Sequence, residues 1–251
     1  GAGFLLDPAE AAALRASGNP ARVLKPIVAG KDLTQRMRNR WVIDFGYLNE
    51  DEARKYPQLF DIVRDRVKPG RDANARDALR LHWWQFGWPR RELRRALEGL
   101  TRYIVTTETA KHRHFQFADR ATAPDHSVVA VAVADAFVLG AVSSRHHVEW
   151  ALAAGARLGV GNDPRYTKTV CFDPFPFPDP PPDLRQAIAT VAERLDQHRK
   201  DALARDERVT MTGMYNVVEK LRSGEKLTAK EKVIHEIAAC GMLKDLHDEL
   251  D

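Results

Sequence analysis

The pattern of apolar and polar positions predicts a largely helical first hundred residues. The sequence Asp7-Pro-Ala-Glu10 suits a helix start, because Asp can cap the first turn and Pro fits its first position. The Glu10 side chain can in turn accept a hydrogen bond from the backbone N–H of Asp7. Asn49 is placed to cap a second helix. Helices are predicted at residues 8–17, 50–56, 57–67 and within 71–95, and a strand at 41–45.

After Gly99 the pattern changes to short segments that are rich in β-branched or aromatic residues and separated by polar residues. Such segments are typical of strands. They cover residues 102–107, 114–118, 128–134, 136–142 and 168–172. A helix capped by Ser143 or Ser144 and ending at Ala154 is predicted ahead of the last of these strands.

A proline-rich segment, Cys171–Pro182, separates this region from purely helical sequence. Beyond it, helices are predicted at residues 183–205, 211–222 and 228–250, the last with a capping box formed by Thr228 and Glu231. The sequence therefore predicts an α+β fold. A mixed α/β domain over residues 1–180 is followed by an all-helical C-terminal domain over residues 181–251.

Composition limits the classes of protein that fit. The longest apolar run, residues 128–142, contains Asp135 and is shorter than the roughly 18 to 20 residues needed to cross a membrane. Cys171 and Cys240 make neither a disulfide framework nor a paired metal motif, so a reducing cytoplasm is expected. The net charge is +4, and residues 60–120 hold 14 Lys and Arg against 8 Asp and Glu. That excess favours a polyanionic partner, with a merely solvated basic face as an equal alternative.

Stretches that imitate catalytic or metal motifs lack the context that the chemistry needs. The Gly-x-Gly within residues 158–163 follows a predicted helix, whereas a nucleotide-binding loop follows a strand. His235-Glu236 has no second histidine one turn later, because residue 239 is alanine. His146 and His147 are adjacent, so on a helix they point about 100° apart. No catalytic residue and no metal site is predicted.

Basic and aromatic residues provide the candidates for binding. Arg36, Arg38 and Arg40 alternate, so an extended chain would place their guanidinium groups on one face, where they suit phosphates. The run Lys111-His-Arg-His114 lies between two predicted strands, and a hairpin tip of this kind can enter a DNA groove; a solvated loop is the alternative. Three tryptophans could stack on bases, although a place in the core is favoured. They are Trp83, Trp84 and Trp88.

Six segments together resemble the carboxy-terminal half of MmeI-type (Type IIG/IIL) restriction-modification enzymes. These segments are Lys31–Thr34, Arg40–Phe45, Glu52–Tyr56, Arg102–Val105 followed by Thr109–Arg113, Cys171–Pro178 and Thr212–Val217. Members of that family are single-chain, adenine-specific DNA methyltransferases, often fused to an endonuclease. The resemblance implies that the first 180 residues form a target recognition domain and that the rest is the helical domain packed behind it.

The methyltransferase core of that family is missing from this sequence. It needs a glycine-rich loop for S-adenosylmethionine and an Asn/Asp-Pro-Pro-Tyr/Phe tetrapeptide for the flipped adenine. Asp179-Pro-Pro-Pro182, Asp173-Pro-Phe-Pro176 and Asn162-Asp-Pro-Arg165 all depart from this pattern. We therefore expect no cofactor and no catalysis here, and S-adenosylmethionine in a parent enzyme. A start at Gly1 and an end inside a predicted helix at Asp251 fit an expected truncated piece of such a parent.

The resemblance also implies a division of labour among the binding residues. Base reading is expected from Lys111, His112, Arg113, His114 and Gln116. Phosphate contacts are expected from Arg36, Arg38, Arg40, Tyr166 and Lys168. The expected partners are double-stranded DNA and the methyltransferase domain of the parent chain, in a bacterial cytoplasm and without a membrane. The alternative is a protein-interaction or scaffold module whose basic charge is incidental.

Overall fold

The chain passes several times between two units in the computed structural model, which describes residues 1–18, 22–86, 89–158 and 163–251. Unit 1 comprises Gly1–Val28, Arg38–Glu98 and Ala121–Ala123. Unit 2 comprises Ala29–Met37, Gly99–Arg120 and Pro124–Asp251. The helical C-terminal part therefore shares a unit with strands from the middle of the chain. The domain boundary expected near residue 180 stays a prediction.

The helices and strands are numbered in chain order. The helices are α1 (Pro8–Ala16), α2 (Gly30–Thr34), α3 (Glu50–Arg54), α4 (Pro57–Asp72), α5 (Asp77–Leu81), α6 (Arg91–Ala96), α7 (Ala136–Ser143), α8 (Arg145–Ala154), α9 (Pro182–Arg205), α10 (Met211–Ser223), α11 (Ala229–Ala238) and α12 (Cys240–Leu250). The strands are β1 (Leu5–Leu6), β2 (Leu24–Val28), β3 (Trp41–Ile43), β4 (Arg102–Thr107), β5 (Gln116–Asp119), β6 (Ala123–Pro124), β7 (Val128–Val131), β8 (Arg157–Leu158) and β9 (Asp163–Pro164). This order confirms the α+β class followed by a helical C-terminal part.

Unit 1 packs helices against a small antiparallel sheet. Strand β3 lies between β1 and β2, with Val42 opposite both Leu5 and Lys25. The apolar face of α4 includes Leu59 and Phe60, and it enters the same core as β3. Placing apolar residues from a sheet and a helix in one cluster removes both surfaces from water, which is the main favourable contribution to folding.

Local signals in unit 1 are confirmed where side chains cap helices. The Asp7 carboxylate accepts a hydrogen bond from Glu10 N at 2.8 Å, and Glu10 accepts one from Asp7 N. Asn49 and Glu52 form the same reciprocal pair at the start of α3. Trp83 and Trp84 lie in the core, as favoured from the sequence, whereas Trp88 lies outside the described residues.

Unit 2 contains the second antiparallel sheet, in the order β5–β4–β7. Ile104 of β4 lies opposite Phe117 of β5 and Val131 of β7, which places β4 in the middle. Helices α7 and α9 pack next to this sheet, and Leu139 and Ala192 join its apolar cluster. A further cluster is shared among α9, α10, α11 and α12. Unit 2 therefore joins the helical part to the sheet through α9.

Two predicted strands of unit 2 are helical in the structure. Residues 136–142 form helix α7, and Asp135 caps it by accepting a hydrogen bond from Phe137 N at 2.8 Å. Nearly every residue of α7 is buried, so its sequence is apolar all round and has no helical period to detect. Residues Lys168–Phe172 form a π-helical turn. A short apolar run alone does not distinguish these structures from a buried strand.

The long helix predicted over residues 228–250 is divided. Ala239 has a φ of 45°, in the left-handed region, and it ends α11 and precedes α12. The predicted Thr228–Glu231 capping box is confirmed at the start of α11. In the described ranges of the chain, no helix combines the length and apolarity needed to cross a membrane.

Gly140 of α7 lies close to Ile188 of α9, and a substitution there tests the packing of the two helices. A Cβ at residue 140 would lie 2.6 Å from Cγ2 of Ile188 and 3.3 Å from its backbone oxygen. We expect Gly140→Ala to lower the free energy of unfolding by about 1–3 kcal/mol, because a β-branched side chain in a helix cannot easily rotate away. Chemical denaturation measures this change.

Gly241→Ala in α12 is the matched control for this prediction. A Cβ at residue 241 meets its nearest neighbour, Cε1 of His235, at 3.8 Å, which is ordinary contact. Alanine there should therefore stabilise the fold by up to about 1 kcal/mol through helix propensity. Equal effects of the two alanines would show that α7 and α9 do not pack as described.

Candidate nucleic-acid interface

The β4–β5 loop, residues 108–115, carries most of the predicted base readers. Because β4 and β5 are antiparallel neighbours, with Val105 opposite Gln116, the loop is the connection of a hairpin. The hairpin predicted around Lys111–His114 is thus confirmed. The four side chains do not all point away from the protein, however, and their surroundings divide them into two pairs.

Arg113 is buried, with only 7% of its surface exposed. Its guanidinium donates hydrogen bonds to Thr106 Oγ1 at 3.0 Å, to Pro164 O at 3.1 Å and to Thr107 O. It also lies over the ring of Tyr166, 5.0 Å from the centroid. Burial lowers the pKa of Arg113 to about 10. The side chain ties the loop to β4 and β9, and its donors face inward.

Tyr166 continues this buried cluster. It is 1% exposed, and its hydroxyl is 2.9 Å from Nε2 of His147. Burial raises the pKa of Tyr166 well above its usual range and lowers that of His147 to about 4, so both groups are neutral at pH 7. Phe115 contacts both rings edge-on. The hydroxyl of Tyr166 is therefore bonded inside the protein and is not at the surface.

His114 is the second buried side chain of the loop. Its Nε2 is 3.0 Å from Leu33 O, and its Nδ1 is 3.3 Å from His112 O. Burial, with the positive charges of Arg199 and Arg113, lowers the pKa of His114 to about 3. A neutral imidazole has one N–H group, and the shorter contact indicates that Nε2 carries it. His114 therefore links the loop to the end of α2.

Lys111 and His112 are the more exposed pair, and both contact α10. Lys111 Nζ donates to Asn216 Oδ1 at 2.8 Å and lies 2.9 Å from Glu219 Oε2. His112 Nε2 is 2.8 Å from the same oxygen of Asn216. Burial lowers the pKa of His112 below its usual value. The outer part of the loop is thus held by one helix of the C-terminal part.

The predicted phosphate contacts fall in several places. Asn39 has a φ of 51°, so Arg36, Arg38 and Arg40 do not follow the extended geometry expected from their alternation. Arg36 Nη1 donates to the backbone oxygens of Asp206 and Val209 at 2.6 and 3.0 Å. The other two arginines belong to unit 1, where Arg38 is exposed and Arg40 is partly buried.

Lys168 and Gln116 complete the two predicted sets. Lys168 lies in the π-helical turn, is exposed and forms an ion pair with Asp173 at 2.8 Å. Gln116 is half-buried at the start of β5. Of the residues predicted to contact DNA, unit 2 therefore has two cationic side chains at the surface. They are Lys111 and Lys168, and each has an exposed carboxylate beside it.

Comparison with known proteins gives a family for most of this chain. The model of the family described as MmeI, target recognition domain, matches residues 1–179. The chain belongs to the MmeI target recognition domain family. No curated protein matches it.

A solved structure described as the Type IIL restriction-modification enzyme MmeI in complex with DNA is similar to this recognition domain and to the helices behind it. The TM-score is 0.64 at 16% sequence identity, and the match covers 99% of this chain and 31% of that one. At this identity the likeness shows the fold alone. The chain spans about a third of the length of that enzyme.

Residues that the sequence did not single out hold the loop of this MmeI-type recognition domain in place. Arg199 of α9 is 1% exposed and donates to Phe115 O at 2.7 Å and to the hydroxyl of Tyr215 at 3.0 Å. A charged residue in a long polar helix is normally expected at the surface, so the sequence does not predict that Arg199 is buried. Tyr215 and Asn216 did carry a signal, because both lie in the Thr212–Val217 segment of the family resemblance.

In the part of the chain that the structure describes, the residues do not fit an S-adenosylmethionine or flipped-adenine site. The Asp179–Pro182 segment leads into α9, is mostly exposed, and has no aromatic side chain to stack on a base. The described residues contain no group of three or more His, Cys, Asp or Glu placed to hold a metal ion. The Gly-x-Gly residues 159–161 and Asn162 lie outside the described residues.

Three buried histidines predict a loss of stability in acid. Burial lowers the pKa of His114 and His247 to about 3 and that of His147 to about 4. The unfolded chain, with histidine pKa values near 6.5, binds more protons as the pH falls below that value. Stability present above about pH 6.5 is therefore lost towards pH 4, by about 1.4 kcal/mol per pH unit for each histidine.

The histidine contribution is measured by chemical denaturation at a series of pH values. Between pH 6 and 4, His114→Gln should reduce the slope of the free energy of unfolding against pH by about the contribution of one histidine. His126→Gln, at a side chain that is 92% exposed, is the matched control. Parallel curves for wild type and His114→Gln would contradict the prediction.

Proposed function

We propose that this chain recognises a specific sequence in duplex DNA on behalf of a restriction-modification enzyme. The observation that carries the proposal is the family match over residues 1–179. A hairpin loop with a cationic side chain near its outer end supports it, because such a side chain can reach phosphates or base edges. In this function the domain supplies specificity, and catalysis belongs to the rest of the enzyme.

Base reading is proposed for the outer residues of the β4–β5 loop. Lys111 can donate to base edges in the major groove, His112 can donate or accept there, and Gln116 follows at the start of β5. Arg113 and His114, expected as readers from the family resemblance, have their polar groups bonded inward. For these two we propose a structural role, since reading a base would require the loop to open.

Phosphate contacts are proposed for Arg38, Arg40 and Lys168. Contacts of this kind set the register and orientation of a protein on DNA and carry no sequence information themselves. Arg36 and Tyr166 were expected to contribute as well. Their polar groups bond to backbone oxygens and to His147, respectively, which favours a structural role for both.

The parent enzyme is proposed to be a bacterial, cytoplasmic DNA methyltransferase. Its methyltransferase domain, the expected intramolecular partner of this chain, would flip an adenine and methylate its N6 with S-adenosylmethionine, with or without an attached nuclease. S-adenosylmethionine would supply the methyl group in that domain. The residues of the present chain would hold the duplex at a fixed position relative to that reaction.

The first test is a salt titration of binding to duplex DNA, which also separates this function from a protein-interaction module. Wild type should show an affinity that falls steeply with salt. Lys168→Ala should weaken binding to all duplexes about equally and reduce the salt slope by about one. Lys232→Ala, at an exposed position of α11, is the matched control and should leave the slope unchanged. Salt-independent or absent binding of the wild type would remove the proposal.

A second test compares neighbouring residues of the loop. Lys111→Ala should relax sequence preference by about 1–3 kcal/mol while the free energy of unfolding stays within about 0.5 kcal/mol, because its ion pair is exposed. Arg113→Ala should instead lower the free energy of unfolding by about 1–3 kcal/mol, because the carbonyl oxygens of Thr107 and Pro164 lose their donor. Selection from random duplexes and chemical denaturation give the two measurements. A stable Arg113→Ala variant with relaxed preference would make Arg113 a reader.

A further inference from the structure

One face of α10 carries a line of polar side chains, which we call the α10 stripe. Its members are Thr212, Tyr215, Asn216 and Glu219. The spacing of three, four and seven residues from the first member places all four on the same side of the helix. Each of them contacts either the β4–β5 loop or the end of α2, and all of these elements belong to unit 2.

Asn216 contacts the two outer residues of the loop through one atom. Its Oδ1 accepts from Lys111 Nζ and lies at the same distance, 2.8 Å, from His112 Nε2. An ammonium group only donates, so the atom of Asn216 that faces it is the carbonyl oxygen. The same oxygen then requires His112 to carry its proton on Nε2. Asn216 thus fixes the tautomer of His112 as well as its place.

Tyr215 supports the same residues from beside Asn216. Its ring stacks on His112 and His114, with centroid distances of 6.0 and 5.7 Å and interplanar angles of 29° and 20°. Its hydroxyl accepts from Arg199 Nη1 at 3.0 Å and lies 2.8 Å from His247 Nε2. Because burial keeps His247 neutral, its Nε2 can accept a hydrogen bond from the Tyr215 hydroxyl. The plane of Tyr215 is therefore held by two helices besides its own.

Glu219 and Thr212 lie towards the two ends of the stripe, and their contacts differ in strength. The Glu219–Lys111 ion pair is more than half exposed on both sides, and pairs of this kind are weak and easily exchanged. Thr212 Oγ1 donates to Thr34 O at 2.8 Å, which fixes α10 against the end of α2. Helix α10 is thus fixed near its start by Thr212. Towards its other end, the ion pair between Glu219 and Lys111 can be exchanged for another.

We propose that Asn216 is a positioning residue for sequence recognition, and that Lys111 exchanges Glu219 for DNA when a duplex binds. This inference rests on the function proposed above. Asn216 itself touches no base; it holds Lys111 and His112 in one orientation and His112 in one tautomer. Glu219 neutralises Lys111 in the free protein, so that the lysine contributes its charge to the complex only after the exchange.

The test uses the whole 251-residue chain with Asn216→Ala, the conservative Asn216→Asp and the charge variant Glu219→Gln. Glu236→Gln, at an exposed position of α11, changes the net charge equally and is the matched control. Sequence preference is measured by selection from a pool of random duplexes, followed by affinities for a selected and an unrelated duplex. The tautomer of His112 is read from the ¹⁵N chemical shifts of its ring in the free protein.

Asn216→Ala should reduce the ratio of affinities for selected and unrelated duplexes by about tenfold, while the affinity for the unrelated duplex changes by less than about twofold. Its His112 ring should lose the pure Nε2–H signature. Asn216→Asp keeps an acceptor oxygen and should retain most of the preference. Glu219→Gln should raise affinity for all duplexes about two- to fivefold at low salt, and more than Glu236→Gln does.

The outcomes separate the two proposals. If the wild type shows no salt-dependent binding to duplex DNA, the proposed function itself is wrong. If wild type selects a sequence, an unchanged preference in Asn216→Ala, or an equal loss in Asn216→Asp, overturns the role of Asn216. An effect of Glu219→Gln no larger than that of Glu236→Gln overturns the exchange of Lys111.

Discussion

A guanidinium group that is removed from water needs hydrogen-bond acceptors, and in unit 2 backbone oxygens accept from two such groups. Arg113 and Arg199 are both buried, and they bond to oxygens of Thr107, Pro164 and Phe115. Leaving such a charge without acceptors would cost several kcal/mol. The conformation of the β4–β5 loop therefore depends on these bonds, because a different backbone path would leave the guanidinium groups unsatisfied.

This constraint explains why the loop is polar but not freely solvated. Arg113 fixes its inner end to β9, and Arg199 fixes its last carbonyl to α9. The neutral ring of His114 bonds to the end of α2. Lys111 and His112 are left at the outer end, where α10 meets them. Rigid support of a small number of outer side chains is the arrangement that a specific binding loop requires.

Features set by neighbouring residues were predictable from the sequence, and features set by distant ones were not. The caps at Asp7, Asn49 and Thr228 and the hairpin around residues 108–115 follow from local chemistry. The sequence predicts a strand where α7 lies, because nearly every residue of this helix is buried and apolar. Its apolar positions therefore show no helical period. The inward direction of Arg113 and the contact of Lys111 with α10 join residues far apart in the chain. Residue type indicates what a side chain can bond to, whereas only the fold decides which partner is in reach.

Under the proposed function, the contact between the loop and α10 has a consequence for exchanging specificities between members of the family. Lys111 and Asn216 are 105 positions apart, and the partners of the loop also include α2 and α9. A graft of residues 108–115 alone would place a foreign loop against α10, the end of α2 and Arg199 of α9, which fit a different loop. The smallest transferable cassette is therefore discontinuous in sequence, and it includes the supporting helix face.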